Sequence, residues 1–442
     1  MRARTAMSLA ALAALVLTAP ALAAVPATAA PAAAPAAAPV AAPAAATAAP
    51  DVTAPAGYVG MSPIRVLDTR DDSKVPETRT ARPLRAGEYF STPIATGCLN
   101  PPRQECFGVV PTDATAVVVN VTVTDPTADG FVTLGSAPGA PGTKPATSSI
   151  NFRPGQTVSN LVTVATGPVS HDVPWLTLYN NAGTTDVVLD VVGYFRTAAT
   201  DTFRPLYPSR IADSRRDTTG RIDTDSVRSY HVARTELGTT DATAVVLNVT
   251  AVDGYRDGFL TAYPAGEPRP DAGSNVNFPA GSTVANRVVV PVGQDGRINL
   301  YNHVGPVHVV VDIVGYYGPS GKGRYSALRT PVRSLDSRLG GGPVPGSGTR
   351  MIQAVPTDGS VPNAFAVEAN ITATNVLADG YLAVTREPNL QTGTSTVNVV
   401  RGQTTSNSAT AEVLESTGTY AVYNHGADLD LVADVNGYYV TG

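Results

Sequence analysis

Three acids stand where a strand-like sequence would be expected to be apolar. Asp190 interrupts VVLDVVGYF, Asp312 interrupts VVVDIVGYY and Asp434 interrupts LVADVNGYY. A carboxylate among β-branched neighbours needs hydrogen bonds or a counter-charge, because an unpaired buried charge is strongly unfavourable. Each phrase has candidate partners. The pattern P-x-R-x-x-D-[TS]-R spans 63–70, 208–215 and 331–338. It supplies Arg65, Asp68 and Arg70, then Arg210, Asp213 and Arg215, then Arg333, Asp336 and Arg338. Arginine suits the role because its planar fork can bind a carboxylate at two points. Either arginine of each set can be the partner. N-[VI]-T triplets add Asn120, Asn248 and Asn370. This Asp–Arg–Asn set either ties one edge of the fold together or forms a polar cluster that receives a ligand. No run of closely spaced acids marks a calcium loop.

Catalytic chemistry has less footing. The chain has no H-E-x-x-H, no phosphate-binding Walker loop and no G-x-S-x-G elbow. Its histidines are His171, His231, His303, His308 and His425. Only His303 and His425 occupy equivalent places, and the first copy has Asn181 there. A catalytic histidine common to all copies is excluded, and no catalytic residue, cofactor or metal is assigned. The N-[VI]-T triplets also match a glycosylation sequon, but they fall inside predicted strands, where Asn can bond a neighbouring strand or loop. Tyr179, Tyr301, Tyr423 and the single Trp175 are candidates for stacking on sugar rings, with Tyr255, Tyr263 and Tyr381 behind them. Packing within or across strands competes for the same residues.

The elements that must position these groups come in three copies. Gly193, Gly315 and Gly437 follow one another at intervals of 122 positions. Between them recur D-G-[FY] at Asp129, Asp257 and Asp379, a strand ending placing Asn151, Asn277 and Asn398, and G-[QS]-T-x-x-N ending at Asn160, Asn286 and Asn407. The copies run over 58–196, 203–318 and 324–440. Each is long enough for its own core, unlike a solenoid repeat. Short Val-, Ile- and Thr-rich runs alternate with Gly, Pro and Asn, giving roughly eight strands per copy and no helical period. The fold class expected is all-β, with three tandem antiparallel β-sandwich domains, jelly-roll-like or immunoglobulin-like, and a closed barrel as the alternative. Side chains alternate faces along a strand. Val187, Leu189, Val191 and Phe195 then share one face, the expected core. Val188, Asp190, Val192 and Tyr194 share the other, which is partly covered. Val117, Val119, Val121 and Val123 likewise oppose Val118, Asn120, Thr122 and Thr124. Glu368 at the Val118 position in the third copy implies that this face meets water or a partner. The glycine before the aromatic pair suits a bend or bulge ending the strand.

Residues 1–23 read as a secretory signal peptide: Arg2 and Arg4, an apolar run from Leu9 to Leu17, and Ala21-Leu22-Ala23 as cleavage site, with cleavage near Ala29 or Ala30 as the alternative. Residues 24–57 are Ala- and Pro-rich and read as a disordered or semi-rigid linker. A net charge of −5 gives no reason to expect nucleic acid or an anionic membrane, and no later apolar stretch could span a bilayer. Cys98 and Cys106, the only cysteines, are expected to form a disulfide pinning a loop inserted in the first copy alone.

With P-x-R-x-x-D-[TS]-R, the N-[VI]-T strand, G-x-T-x-x-N and the D-[VI]-x-G-Y-[FY] ending in order, all three copies resemble a repeat domain of secreted actinobacterial proteins. Such domains often stand in arrays or beside secreted enzymes such as cell-wall hydrolases. The resemblance implies an extracellular accessory or surface module, secreted or cell-surface associated, and supplies no catalytic residues. This chain departs from it in the Cys98–Cys106 insertion and in having no attached enzyme domain. The function expected is a non-enzymatic binding protein for cell-wall or other extracellular glycans. A structural or adhesive protein that binds other surface proteins is the alternative, and a secreted hydrolase the third reading. Three weak sites on one chain would gain avidity.

Overall fold

In the computed structural model, residues 49–76, 79–96, 107–137, 143–170, 172–271, 273–388 and 393–441 are described. The expected signal peptide, most of the expected linker, and both Cys98 and Cys106 lie outside the described residues. Residues 49–57, assigned above to the linker, are ordered. The Thr53 amide donates to the Ala327 carbonyl at 2.8 Å, and Ala56 pairs with Tyr325.

The expectation of three tandem β-sandwich domains is overturned. The chain is all-β, but its six main antiparallel sheets are arranged as a six-bladed β-propeller, two from each repeat, with a further two-stranded sheet, Ala95–Thr96 and Phe107–Gly108, in the first. In the first repeat one sheet runs in the order Gly57–Asp68, Asp186–Arg196, Ala114–Thr124, Val158–Ala165. The other is built on shorter strands, in the order Tyr89–Pro93, Val173–Asn180, Gly130–Gly135, Ile150–Phe152. The second and third repeats reproduce both orders. None of these six sheets is a simple meander: in the long-stranded ones the first strand of each repeat pairs with its last, and in the others the second strand pairs with the next to last.

The physical reason the repeats are not separate domains lies in the second face of the long-stranded sheets. Val117, Val119, Val121 and Val123 enter the core of the first repeat, as alternation requires. Val118 on the opposite face is also buried. It joins a central core with Val246 of the second repeat and Phe365 and Ala366 of the third. A sheet apolar on both faces must be covered on both, and here the other repeats supply the cover.

Three aromatic pairs close that centre. Tyr58 stacks on Tyr317 at 4.1 Å, Phe203 stacks on Tyr439 at 4.2 Å, and Phe195 meets Tyr325 at 4.6 Å. Every one of these contacts crosses a repeat boundary, and the third returns to the first repeat. Phe195 reaches the centre because the pairing register shifts between Val191 and Gly193, where Gly193 rather than Val192 faces Val118. This bulge reverses the alternation, sending Phe195 inward and leaving Tyr194 against the first repeat's own core. The expected shared face of Val187 and Phe195 is therefore wrong. The strand also continues past the glycine to Arg196. Gly315 shows why a side chain is excluded there: a Cβ would lie 2.6 Å from the Phe203 ring.

Candidate functional site

The acids in the strands resolve into one arrangement made three times. Arg65 stands directly across the ladder from Asp190, as do Arg210 from Asp312 and Arg333 from Asp434. Arg65 donates from Nε and Nη2 to the two Asp190 oxygens at 2.9 and 3.2 Å. The equivalent distances are 2.8 and 3.2 Å in both other repeats. Arg70 grips Asp68 in the same fork, at 2.8 and 2.7 Å. Arg215 with Asp213 and Arg338 with Asp336 repeat it. A longer contact, 3.4 Å from Arg65 to Asp68, joins the two pairs. Of the two arginines open as partners, the first of each motif holds the strand acid and the second holds the motif's own acid. Burial pushes the carboxyls of Asp190, Asp312 and Asp434 above their ordinary value, against the pull of their arginines. Hydrogen bonds from Arg215 and Arg338 hold Asp213 and Asp336 below it.

The asparagines do not belong to this cluster. Asn248 donates to the Ser395 carbonyl at 2.6 Å and Asn370 to the Ser148 carbonyl at 2.8 Å, each in the next repeat around the ring. Asn120 bonds Ser274 likewise. The side-chain oxygens of Asn120, Asn248 and Asn370 accept in turn from Asn286, Asn407 and Asn160, the last residues of G-[QS]-T-x-x-N, at 3.2, 3.1 and 3.0 Å. The N-[VI]-T and G-[QS]-T-x-x-N asparagines thus sew the three boundaries together, and the expected Asp–Arg–Asn set divides into a clasp within each repeat and a seam between repeats. Glu368 meets neither water nor an outside partner. It is fully buried against Arg287 of the second repeat, and accepts from Arg287 Nη2 and Tyr439 Oη at 2.6 Å each. Arg287 Nη1 also bonds it.

Each boundary bears a surface cleft. The one between the first and second repeats measures about 430 Å³. Arg65 and Arg70 form one wall; Phe259, Arg269, Tyr301 and His303 form the other. Phe259 and the exposed His303 stack nearly parallel, 4.5 Å apart at 16°. Arg269 lies over the Tyr301 ring at 4.1 Å, and Tyr301 Oη donates to Asp225 at 2.8 Å. The second-to-third boundary has a smaller cleft of about 260 Å³, flanked by Tyr207, Pro208 and Arg386. The third-to-first cleft, about 430 Å³, is lined by Tyr89, Tyr179, Lys144 and Arg329.

The stacking candidates fare unequally. Tyr179 and Tyr301 line clefts but are only 7% and 6% exposed, so they present edges rather than open faces. Tyr423 and Trp175 are half-buried and line none of the three clefts; the Trp175 indole N–H donates to the Ser170 carbonyl at 3.3 Å. Sequence reasoning missed Phe259 and Arg269. The signal for Phe259 was the D-G-[FY] motif itself, whose Tyr381 stacks on His425 in the same way, 4.5 Å apart at 10°.

One contact imitates a catalytic dyad. Ser214 Oγ lies 3.0 Å from His308 Nδ1. The same place holds Thr69 with Asp186 at 2.7 Å and Ser337 with Asp430 at 2.6 Å. Each hydroxyl also accepts a backbone N–H from the facing strand, so the pair is a strand-end clasp. Among the described residues, no group of three or more His, Cys, Asp or Glu side chains could hold a metal ion, and no helix is long and apolar enough to cross a membrane.

No family model and no curated protein matches the chain. Among solved structures, one titled "Life in the extremes: atomic structure of Sulfolobus Turreted Icosahedral Virus" aligns over 80% of this chain and 91% of that one. Its identity is 9% and its TM-score 0.15, too low to carry an argument about fold or function.

Proposed function

We propose that this is an extracellular, non-enzymatic glycan-binding protein whose principal site is the cleft between the first and second repeats. One observation carries the reading: an aromatic platform, the exposed His303 ring backed by Phe259, shares a cleft with Arg65 and Arg70, already fixed by ion pairs. A sugar ring offers C–H groups to an aromatic face and hydroxyls to polar neighbours, and a site with its donors held in place binds it at a lower entropic cost. The leader-like N-terminus and the resemblance to secreted actinobacterial repeat domains support the extracellular setting. Ser214 and His308 take the place of the Thr69–Asp186 and Ser337–Asp430 clasps, which supports a structural role for that pair.

The test is retention of the full chain on insoluble cell-wall polysaccharide, beside a His303→Ala variant. His303 is exposed, so its loss leaves the core intact. Retention that weakens several-fold in the variant is the expected result. Absence of retention on every polysaccharide tried would sink the reading.

A further inference from the structure

We propose that the cleft between the first and second repeats selects glycans bearing an anionic group, carboxylate or phosphate, over neutral ones. The inference rests on the glycan reading and sharpens it. Its basis is that the Arg65 and Arg70 pairs turn their arginine halves outward, with a further exposed arginine on the opposite wall. The side chains of Asp190 and Asp68 are 1% and 8% exposed, whereas that of Arg70 is 47% exposed. Arg70 spends Nε and Nη2 on Asp68, which leaves the two N–H groups of Nη1 for a ligand. Arg269 is equally exposed, and its carboxylate contact, Asp225, is loose at 3.5 Å.

A ligand entering here meets Arg65 and Arg70 backed by buried carboxylates on one wall, and on the other Arg269, whose contact Asp225 is itself exposed. Three arginines line the cleft, and Asp271 is the single carboxylate among its lining residues. Behind Arg65 and Arg70 the balancing acids Asp190 and Asp68 are buried, so on that wall a ligand meets the guanidinium groups and not the carboxylates. Arginine forks match carboxylate and phosphate geometry and form charge-assisted bonds that a neutral hydroxyl cannot equal. The platform and the forks together describe one ligand: a sugar ring resting on the exposed His303 ring, which Phe259 backs, its acidic substituent taken by Arg70 and Arg269.

The experiment measures affinity of the full chain for three soluble polymers of matched length: a polyuronate, a poly(glycerol phosphate) and a neutral glucan. At low salt, either acidic polymer should bind about tenfold or more tightly than the glucan, as expected for charge-assisted bonds, and the gap should narrow as salt rises. Arg269→Ala should remove most of that preference. Arg216→Ala, which deletes the same charge from an exposed position outside the cleft, should leave it in place. Equal binding of all three polymers, or equal effects of the two variants, would overturn the proposal while leaving the glycan reading standing. Binding to none of them would count against the glycan reading itself.

Discussion

Replacing Glu368 with alanine should destabilise the whole ring, by an amount that can be worked from its surroundings. Glu368 is fully buried and Arg287 is 2% exposed. The carboxylate accepts from two Arg287 nitrogens, from Tyr439 Oη, and from Thr410 Oγ1 at 3.2 Å. Its removal strands a buried guanidinium whose remaining side-chain partner is Ser408 at 3.0 Å. Breaking a buried pair from one side costs about 3–5 kcal/mol. The double variant Glu368→Val with Arg287→Leu should recover most or all of that, because the first repeat already places Val118 and Leu161 at the equivalent positions in the same core. Apolar replacement of a buried pair is commonly neutral, or stabilising by ~1–4 kcal/mol. The assay is urea denaturation followed by the fluorescence of Trp175, the only tryptophan. Trp175 lies in the first repeat, while the pair bridges the second and third. A shift of its transition therefore reports that the ring unfolds together. A single variant that costs less than about 1 kcal/mol, or a double variant as unstable as the single, would refute the reasoning from buried charge. A Trp175 transition that stays put while the other repeats unfold would refute the shared core.

Two further predictions follow from local geometry. Gly315→Ala should cost about 1–3 kcal/mol by overpacking against the Phe203 ring, seen as a lower denaturation midpoint with unchanged slope. At Glu88, burial pushes the carboxyl up, but bonds from Arg82, the Arg85 amide and Arg79 outweigh it and bring it to about 2. A folded value below the unfolded one gives stability that is present above the unfolded value, about 4.3, and lost as pH falls toward 2. Glu88→Gln should therefore flatten the acid limb of stability between those values, read by denaturation at stepped pH. An acid limb identical to that of the parent chain would remove Glu88 from the account.

The strands were legible because their local signals were redundant. The alternation of Val117, Val119, Val121 and Val123 with Val118, Asn120, Thr122 and Thr124 marks a strand, and these residues lie within Ala114–Thr124. The need of Asp190 for an arginine followed from burial alone, and the register supplied Arg65. The ring was not legible, because its evidence is spread over sequence distance. That Val118 is as buried as Val117 depends on Val246 and Phe365, which no window around residue 118 contains. The parity reversal at Gly193 was hidden for a related reason: a bulge changes which side chains share a face without altering the apolar composition that suggested the strand. The cleft was missed because its walls come from different repeats, so neither repeat holds the site. Tyr301 was singled out, yet its ring is already covered by Arg269.

Joining the three copies in one chain changes what the centre is allowed to become. In an assembly of identical subunits every axial residue appears as many times as there are subunits. Glu368 repeated around the axis would crowd three carboxylates into one apolar core. A single chain escapes that multiplication: Val118, Val246 and Glu368 occupy equivalent strand positions, as do Leu161, Arg287 and Ser408. The same freedom reaches the surface, where Asn181, His303 and His425 occupy matching places and the three clefts differ in lining. Covalent linkage thus separates frame from specificity. The asparagine seam and the aromatic centre keep the ring, and each boundary is left to evolve its own chemistry.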